Sequence, residues 1–499
     1  MSTIHEQAMN YVYQQVLQRL LGYFTRAERT ALQLLIQRLI VAAGGIEQVS
    51  SFKALVAFGG GKDSAYTLAF MRAAQLSIAC RAPGTFHLRV ATMRHAGITP
   101  AVMDNIHRCY AALFLYDDPR VEMLVIDNQY TQPFEPDLPF SSAGREQNRS
   151  DMLIAGHLSG GDSRSTFCHS CYLNLGDFVT RAAAAGGGVD ALVSGDSRRE
   201  QKRYGGWLAR LAQTSGQGGG PWATQSLGAA LRLIEGLGQA RNQELYGSDP
   251  QEQAQRPLPS GGKAAAPALI PIADLVSCRV EEHWNLLTEF LGFRFDELAF
   301  SFSESDCANP LLMAHLRGLR AQHVQQRRYA DGIAEYLQLA KLLMRRKQMP
   351  QRLIDQAMAA WQGDERIEAR RQLAAGFAQE GYGLGEPQLV CMLMSPFVDE
   401  GRDLEPFLRR CHPGMLVALP DLHRALQGGG APEQVLQWLT DISGLSLEGV
   451  QSLYRKARVD FADERSIIAR IRAADPDKAR IRTLDPQSGQ PIVEVMSGR

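Results

Sequence analysis

The chain has 499 residues, 45% hydrophobic and 21% charged, and its 53 basic and 53 acidic side chains cancel. That composition excludes a disordered chain, a collagen and a disulfide-stapled miniature, and it confines any polyanion-binding surface to local patches. At about 150 residues per domain, the length predicts two to four domains.

In chain order, apolar positions at helical spacing (Val12, Val16, Leu20, then Leu32, Leu35, Ile36, Leu39) predict two helices joined near Thr25. Short apolar runs then predict strands at 54–58, 88–93, 121–126 and 191–194, with helices at 64–74 and 100–115 between the first three. Strands separated by helices imply a parallel sheet covered on both faces. Residues 128–166, rich in Pro, Ser, Gly and Arg, read as a long loop, and 214–268 reads likewise apart from a helix-like piece at 223–237. From about 320 to 473 the pattern is helix after helix, and the polar tail from Asp475 to Arg499 reads as loosely ordered. The expected organisation is an N-terminal helical segment (1–50), an α/β domain with a parallel sheet (51–320) and an all-helical C-terminal region (321–499).

Nothing near the N-terminus resembles an export signal, and the apolar stretch Leu32–Ala43 is interrupted by Gln37 and Arg38 and too short to span a bilayer. A cytoplasmic protein without membrane association is expected, with reduced thiols.

The most informative residues follow the first strand: Gly59, Gly60, Gly61, Lys62, Asp63 and Ser64, running into helical Ala65-Tyr66-Thr67-Leu68. Glycines let backbone N–H groups turn sharply onto an anion. A helix N-terminus adds partial positive charge, and a lysine and a serine hydroxyl complete a phosphate cradle. The competing reading is a tight turn capped by Asp63. Neither the Walker spacing nor Gly-x-Gly-x-x-Gly is present. A similar run, Ser159-Gly160-Gly161-Asp162-Ser163, lacks one residue of the spacing and follows no apolar strand, so it reads as loop.

The strand, glycine loop and helix resemble the Ser-Gly-Gly-x-Asp-Ser signature of the PP-loop ATP pyrophosphatases, the adenine nucleotide alpha-hydrolase-like superfamily. The resemblance implies ATP and magnesium bound at Gly59 to Ser64 and pyrophosphate released as AMP joins a substrate oxygen. Gly59 stands where the family has its opening serine, which removes one hydroxyl donor. Lys62 and Asp63 are the candidate catalytic residues of the loop, Asp63 facing the metal.

Cys168-His169-Ser170-Cys171 opens a second helical run, followed by the strand at 191–194 and Gly195-Asp196. Two thiolates do not close a tetrahedral site, and Cys307, in a polar loop, is the natural third ligand. Cys80, Cys109, Cys278, Cys391 and Cys411 read as small packed hydrophobes. Loop, Cys-x-x-Cys, strand-Gly, the apolar–Pro segment at 269–272 and a later cysteine are similar in order to the tRNA 2-thiolation sulfurtransferases. That branch implies that Cys168, Cys171 and Cys307 hold a 4Fe–4S cluster or zinc, or carry sulfur, with Cys168 and Cys171 catalytic. It also implies that Gly195 and Asp196 line the nucleotide. The branch's Gly-His-x-x-Asp-Asp is replaced by Gly195-Asp196-Ser197-Arg198-Arg199-Glu200.

Arginine-rich patches at Arg198–Arg203 beside Tyr204 and Trp207, at Arg317, Arg320, Arg327 and Arg328, and at Arg345–Lys347 are the candidate RNA surfaces. The expected activity is ATP-dependent adenylation of a carbonyl or amide, followed by sulfur transfer to tRNA or a small molecule. The alternatives are an amide- or amidine-forming ligase and a non-catalytic ATP-binding partner. A sulfur donor or carrier protein and a second copy of the chain are the other expected partners.

Overall fold

The computed structural model describes residues 3–127, 130–196, 198–214, 226–247, 267–276, 280–294, 309–346, 349–475, 478–485 and 488–497. Helices α1 (Thr3–Tyr23) and α2 (Arg26–Ala42) meet at Thr25, as the spacing predicts. The break is a reciprocal capping box. Thr25 Oγ1 accepts the Glu28 N–H at 3.2 Å, and Glu28 Oε2 accepts the Thr25 N–H at 2.7 Å.

Strand β1 (Lys53–Ala57), helix α3 (Lys62–Ala79), β2 (His87–Arg94), α4 (Pro100–Ala112) and β3 (Val121–Asp127) follow in alternation. Then come β4 (Tyr130–Pro133), α5 (Ser142–Leu158), α6 (His169–Ala184), β5 (Ala191–Ser194), α7 (Arg198–Thr214), α8 (Leu227–Tyr246) and β6 (Ala268–Pro271). These strands form one sheet in the order β4-β3-β2-β1-β5-β6. All neighbours are parallel except the edge strand β4, which turns back on β3. The expected α/β class holds, and the predicted strands form to within a residue at each end.

Both sheet faces are buried, which is why these strands read as continuous apolar runs. Ala54, Val56 and Phe58 point to a core shared with α1 to α4, while Leu55, Ala91 and Leu192 point to Phe178, Val179 and Ala182 of α6. Helix α3 is enclosed from Ala65 to Ile78, including Arg72. That guanidinium is neutralised by Asp118 at 2.7 Å and donates to the Leu113 and Phe114 carbonyls. A buried charge so paired pins α3 to the α4–β3 connection.

Two expectations fail. The stretch 128–166 is not one long loop, because α5 occupies 142–158, capped by Ser141 Oγ accepting from the Gly144 N–H. Its first half is polar and, Gly144 apart, burial is confined to the second half, from Met152 to Leu158, so the apolar periodicity spans barely two turns. The tail is not loose either, and the C-terminal region is not all-helical: β7 (Lys478–Leu484) and β8 (Pro491–Ser497) form an antiparallel hairpin. It is held by tertiary partners, with Ile481 in the core and Thr483 donating to Glu335 of the helix Tyr329–Arg346.

The region from Pro310 to Ala474 is helical as expected, with helices such as Gln351–Ala359, Glu433–Ser443 and Leu447–Tyr454. Its core also takes in Met152 and Leu153 of α5, Trp207 and Leu211 of α7 and Leu237 of α8. Among the described residues no helix is long and apolar enough to cross a membrane.

Candidate functional site

In the sheet, strand order reverses between β1 and β5: β2 and β3 lie to one side of β1, β5 and β6 to the other. Crossovers leave such neighbours in opposite directions, so a crevice opens at their carboxyl ends, where ligands of open α/β sheets bind. The glycine loop leaves β1 at that point, and Gly195-Asp196 leaves β5 beside it, with Val56 paired to Val193.

The loop is built around two glycine requirements. Gly60 has φ of +72°, and a Cβ there would lie 2.8 Å from Val102 and 2.9 Å from Ile106 of α4. On β5, a Cβ on Gly195 would lie 2.1 Å from Thr67 Oγ1. The end of β5 thus rests directly on the second turn of α3. Gly59 is different: a Cβ there meets nothing within 4 Å. A serine side chain would have space there.

Gly61 is the N-cap of α3 and so supplies no capping side chain. Asp63 is not the cap; it lies in the first turn, and Lys62 Nζ meets its Oδ2 at 2.7 Å. Ser64 Oγ donates to the Gly61 carbonyl at 3.0 Å, and Thr67 Oγ1 donates to the Asp63 carbonyl at 3.0 Å, so the turn is braced internally. Helix α4 starts on the same edge after Thr99, whose buried hydroxyl makes no hydrogen bond. Two helix N-termini without side-chain caps therefore flank the loop, and their aligned peptide dipoles favour an anion between them.

Across the crevice, Ser194 Oγ donates to Asp196 Oδ2 at 2.9 Å, and Asp196 is exposed. Asp63 and Asp196 are hard oxygen donors of the kind magnesium prefers, each reachable from solvent. The chemistry of this donor set fits a magnesium ion accompanying a nucleotide.

One residue of this edge escapes sequence inspection. His95 follows β2, half-buried, and its Nδ1 accepts the Gly97 N–H at 3.1 Å. Burial holds its conjugate acid down at about 4, so the ring is neutral at pH 7 and carries its proton on Nε2. A lone histidine after a strand has no sequence signature; only the strand order brings it to the edge where β1 ends.

The scaffold under the edge is rigid. Thr92 Oγ1 donates to the Phe58 carbonyl at 2.8 Å. Arg94 bridges Asp127 to the Leu138 and Pro139 carbonyls. On the far side of α3, Tyr66 donates to Glu28 Oε1 at 2.6 Å while stacking on His283 at 3.8 Å. Burial opposes ionisation of Glu28, but hydrogen bonds from His283, Tyr66 and Thr25 outweigh it and hold the carboxyl at about 2.

Cys168 closes a widened helical turn (Arg164–Cys168) and Cys171 lies in the first turn of α6. Because α6 covers the sheet between β3 and β5 and β5 runs parallel to β3, its N-terminal end lies at the carboxyl edge, the edge that carries the glycine loop. The side chains of Cys168 and Cys171, and all of Cys307, lie outside the described residues. Among the described residues no group of three or more His, Cys, Asp or Glu side chains is arranged to hold a metal. Of the other cysteines, Cys109 and Cys391 are buried as expected, Cys411 is partly so, and Cys80 is exposed; Cys278 is outside the described residues.

The patch at Arg317, Arg320, Arg327 and Arg328 is committed to other contacts. Arg317 and Arg327 both pair with Glu335, and Arg320 donates to the Gly160 carbonyl; Arg328, exposed, pairs with Asp331. Trp207 is a core residue rather than a stacking platform. The 159–163 run is a turn, as expected, wedged against the helix Glu386–Met394: a Cβ on Gly161 would lie 2.6 Å from Leu393, and Asp162 pairs with Arg472. Arg198, Arg199, Arg203 and Lys347 carry side chains outside the described residues. Compared with protein-family models, characterised proteins and solved structures, the chain matches none.

Proposed function

We propose that this chain is an ATP-dependent adenylating enzyme of the PP-loop type. The observation that carries this reading is the placement, at the reversal of strand order, of the Gly59–Ser64 loop after β1 and of Gly195 after β5, packed on Thr67 of the helix that the loop begins. A carbonyl or amide oxygen of the substrate attacks the α-phosphorus of ATP, the bond to the bridging oxygen breaks, and pyrophosphate leaves. Loop N–H groups and Lys62 stabilise the charge that develops on the leaving group. Neutral His95 can donate from Nε2 without adding a charge. Magnesium, held by Asp63 with Asp196 nearby, would neutralise the pyrophosphate oxygens. The adenylated carbon then accepts a nucleophile and AMP departs. Sulfur is the nucleophile favoured here, because Cys168-x-x-Cys171 begins α6 at this same edge; zinc or an iron–sulfur cluster there would hold or relay that sulfur.

The test is equilibrium dialysis of ATP with and without magnesium, alongside a pyrophosphate-release assay with tRNA and small-molecule fractions. Losing a hydrogen bond to a charged phosphate costs about 1.5–3 kcal/mol, so Ser64→Ala should weaken ATP binding roughly tenfold or more. Asp63→Asn should abolish the magnesium dependence. Absence of ATP binding, or variants that bind as wild type, refutes the reading. Pyrophosphate release that survives Cys168→Ser, Cys171→Ser and Cys307→Ser together would leave adenylation standing and assign a nitrogen nucleophile.

A further inference from the structure

The helical C-terminal region closes around the turn that leads into Cys168. Arg164 opens that widened turn, and its guanidinium pairs with Asp475, 311 positions along the chain, both side chains only 1% exposed. Asp162, just ahead, caps the turn: its Oδ1 accepts the Ser165 N–H and its carbonyl the Thr166 N–H, each at 2.9 Å. Asp162 is itself held by Arg472, whose Nε lies 2.9 and 3.0 Å from the two carboxylate oxygens. Arg472 sits in the last turn of the helix Ile467–Ala474 and Asp475 directly follows it, so a single element fixes both residues. Widened turns of this kind are rare and frequent at functional sites, and backbone in a sparsely populated form persists only where its surroundings hold it.

A second grip comes from the turn Ala378–Tyr382, which reaches both the cysteine turn and the crevice edge. Tyr382, buried, packs edge-on against Phe167, the residue before Cys168, with ring centroids 5.8 Å apart. Its neighbour Gly381 rests on the loop that follows His95: a Cβ there would lie 2.9 Å from the Ala96 carbonyl oxygen. Arg145 of α5 ties this point down, donating from Nε to the Gly381 carbonyl at 3.1 Å. Two consecutive residues thus touch the residue before Cys168 and the residue after His95. Their Cα atoms are about 3.8 Å apart, which leaves no slack between the two contacts.

We infer that the C-terminal region is the positioning frame of the cysteine site, with Asp162, Arg164, Gly381 and Tyr382 as its positioning residues. Arg472 and Asp475 fix where the widened turn begins, and Gly381 with Tyr382 sets its separation from the His95 edge. This role rests on the adenylation and sulfur transfer proposed above, in which Cys168 and Cys171 serve the second step at that edge. A nucleophile must meet the adenylated carbon at about 3–3.5 Å, and a misplacement of about 1 Å can cost about a hundredfold in rate. The glycine loop and the cysteine turn begin different helices, so their separation needs a member that touches both sides. The turn at 378–382 is that member.

Timed alkylation of the full chain with iodoacetamide, each cysteine followed by peptide mass spectrometry, reads this frame. Tyr382→Leu and Arg472→Gln should speed alkylation of Cys168 and Cys171 several-fold, because the rate follows access and local opening. Buried Cys109 and Cys391 should stay protected, which separates release of the turn from general loosening. Arg472→Lys keeps a single charged nitrogen for both Asp162 oxygens and should return the rates to wild type. Gly381→Ala, introduced on the Ala96 side, should reach the cysteines through Tyr382 and raise the same two rates. Unchanged Cys168 and Cys171 rates in these variants, or rises matched at Cys109 and Cys391, overturn the inference. The assay needs neither ATP nor substrate, so a chain that binds no ATP loses the adenylation reading while the thiol result stands.

Discussion

Gly195→Ala puts the crevice itself under test. The added Cβ lies 2.1 Å from Thr67 Oγ1, 3.3 Å from Thr67 Cβ and 3.5 Å from its Cγ2. Rotating Thr67 would relieve the first contact, but it breaks the 3.0 Å hydrogen bond to the Asp63 carbonyl and leaves the second. A β-branched side chain in a helix also has few rotamers to turn to. Losing that bond costs about 1 kcal/mol, and overpacking of this kind costs about 1–3, so a loss near 2 kcal/mol is expected. Because the strain separates β5 from α3, ATP affinity should fall with stability. Guanidinium unfolding of wild type, Gly195→Ala, Thr67→Ala and the double variant forms a cycle. In the Thr67→Ala background the glycine substitution should cost about 1 kcal/mol or less, because the 2.1 Å contact with Oγ1 and the 3.5 Å contact with Cγ2 are gone and only the 3.3 Å contact with the Cβ of residue 67 remains. Equal costs in both backgrounds, or a Gly195→Ala protein as stable as wild type, would refute the proposed close contact between β5 and α3.

Two further outcomes follow from the same geometry. Gly59→Ser should fold normally, since its Cβ meets nothing within 4 Å, and should tighten ATP binding a few-fold by restoring a hydroxyl, measured by the same dialysis; a marked loss of stability would contradict the open space at Gly59. Glu28→Gln should destabilise the chain at neutral pH by up to about 3 kcal/mol, the equivalent of a carboxyl held at about 2 against an ordinary 4.5. Because the folded-state value is depressed, that contribution is present above pH 4.5 and fades as pH falls toward 2. The gap between wild type and variant in denaturant melts should therefore close over that window, and a gap independent of pH would exclude ionised Glu28 as its source.

The sequence alone determined the local elements. β1, its glycine loop and α3 were legible because a fully buried strand is a continuous apolar run, and the tight strand-to-helix turn takes a positive φ at Gly60. The junction of two helices near Thr25 was legible from apolar spacing, while the capping box that makes it came from the structure. Helix α5 was not, because its polar first half hides the periodicity. Nor was the hairpin, whose polar partners Glu335, Gln338 and Arg317 lie on helices more than a hundred positions away. Only the tertiary structure decided that Gly195 must lack a side chain, that His95 stands at the crevice edge, that Arg72 is a core residue and that residues 478–497 pair as a hairpin on the helical core. Each of these depends on residues tens to hundreds of positions apart, and short-range periodicity carries no record of what a distant strand or helix will bring alongside.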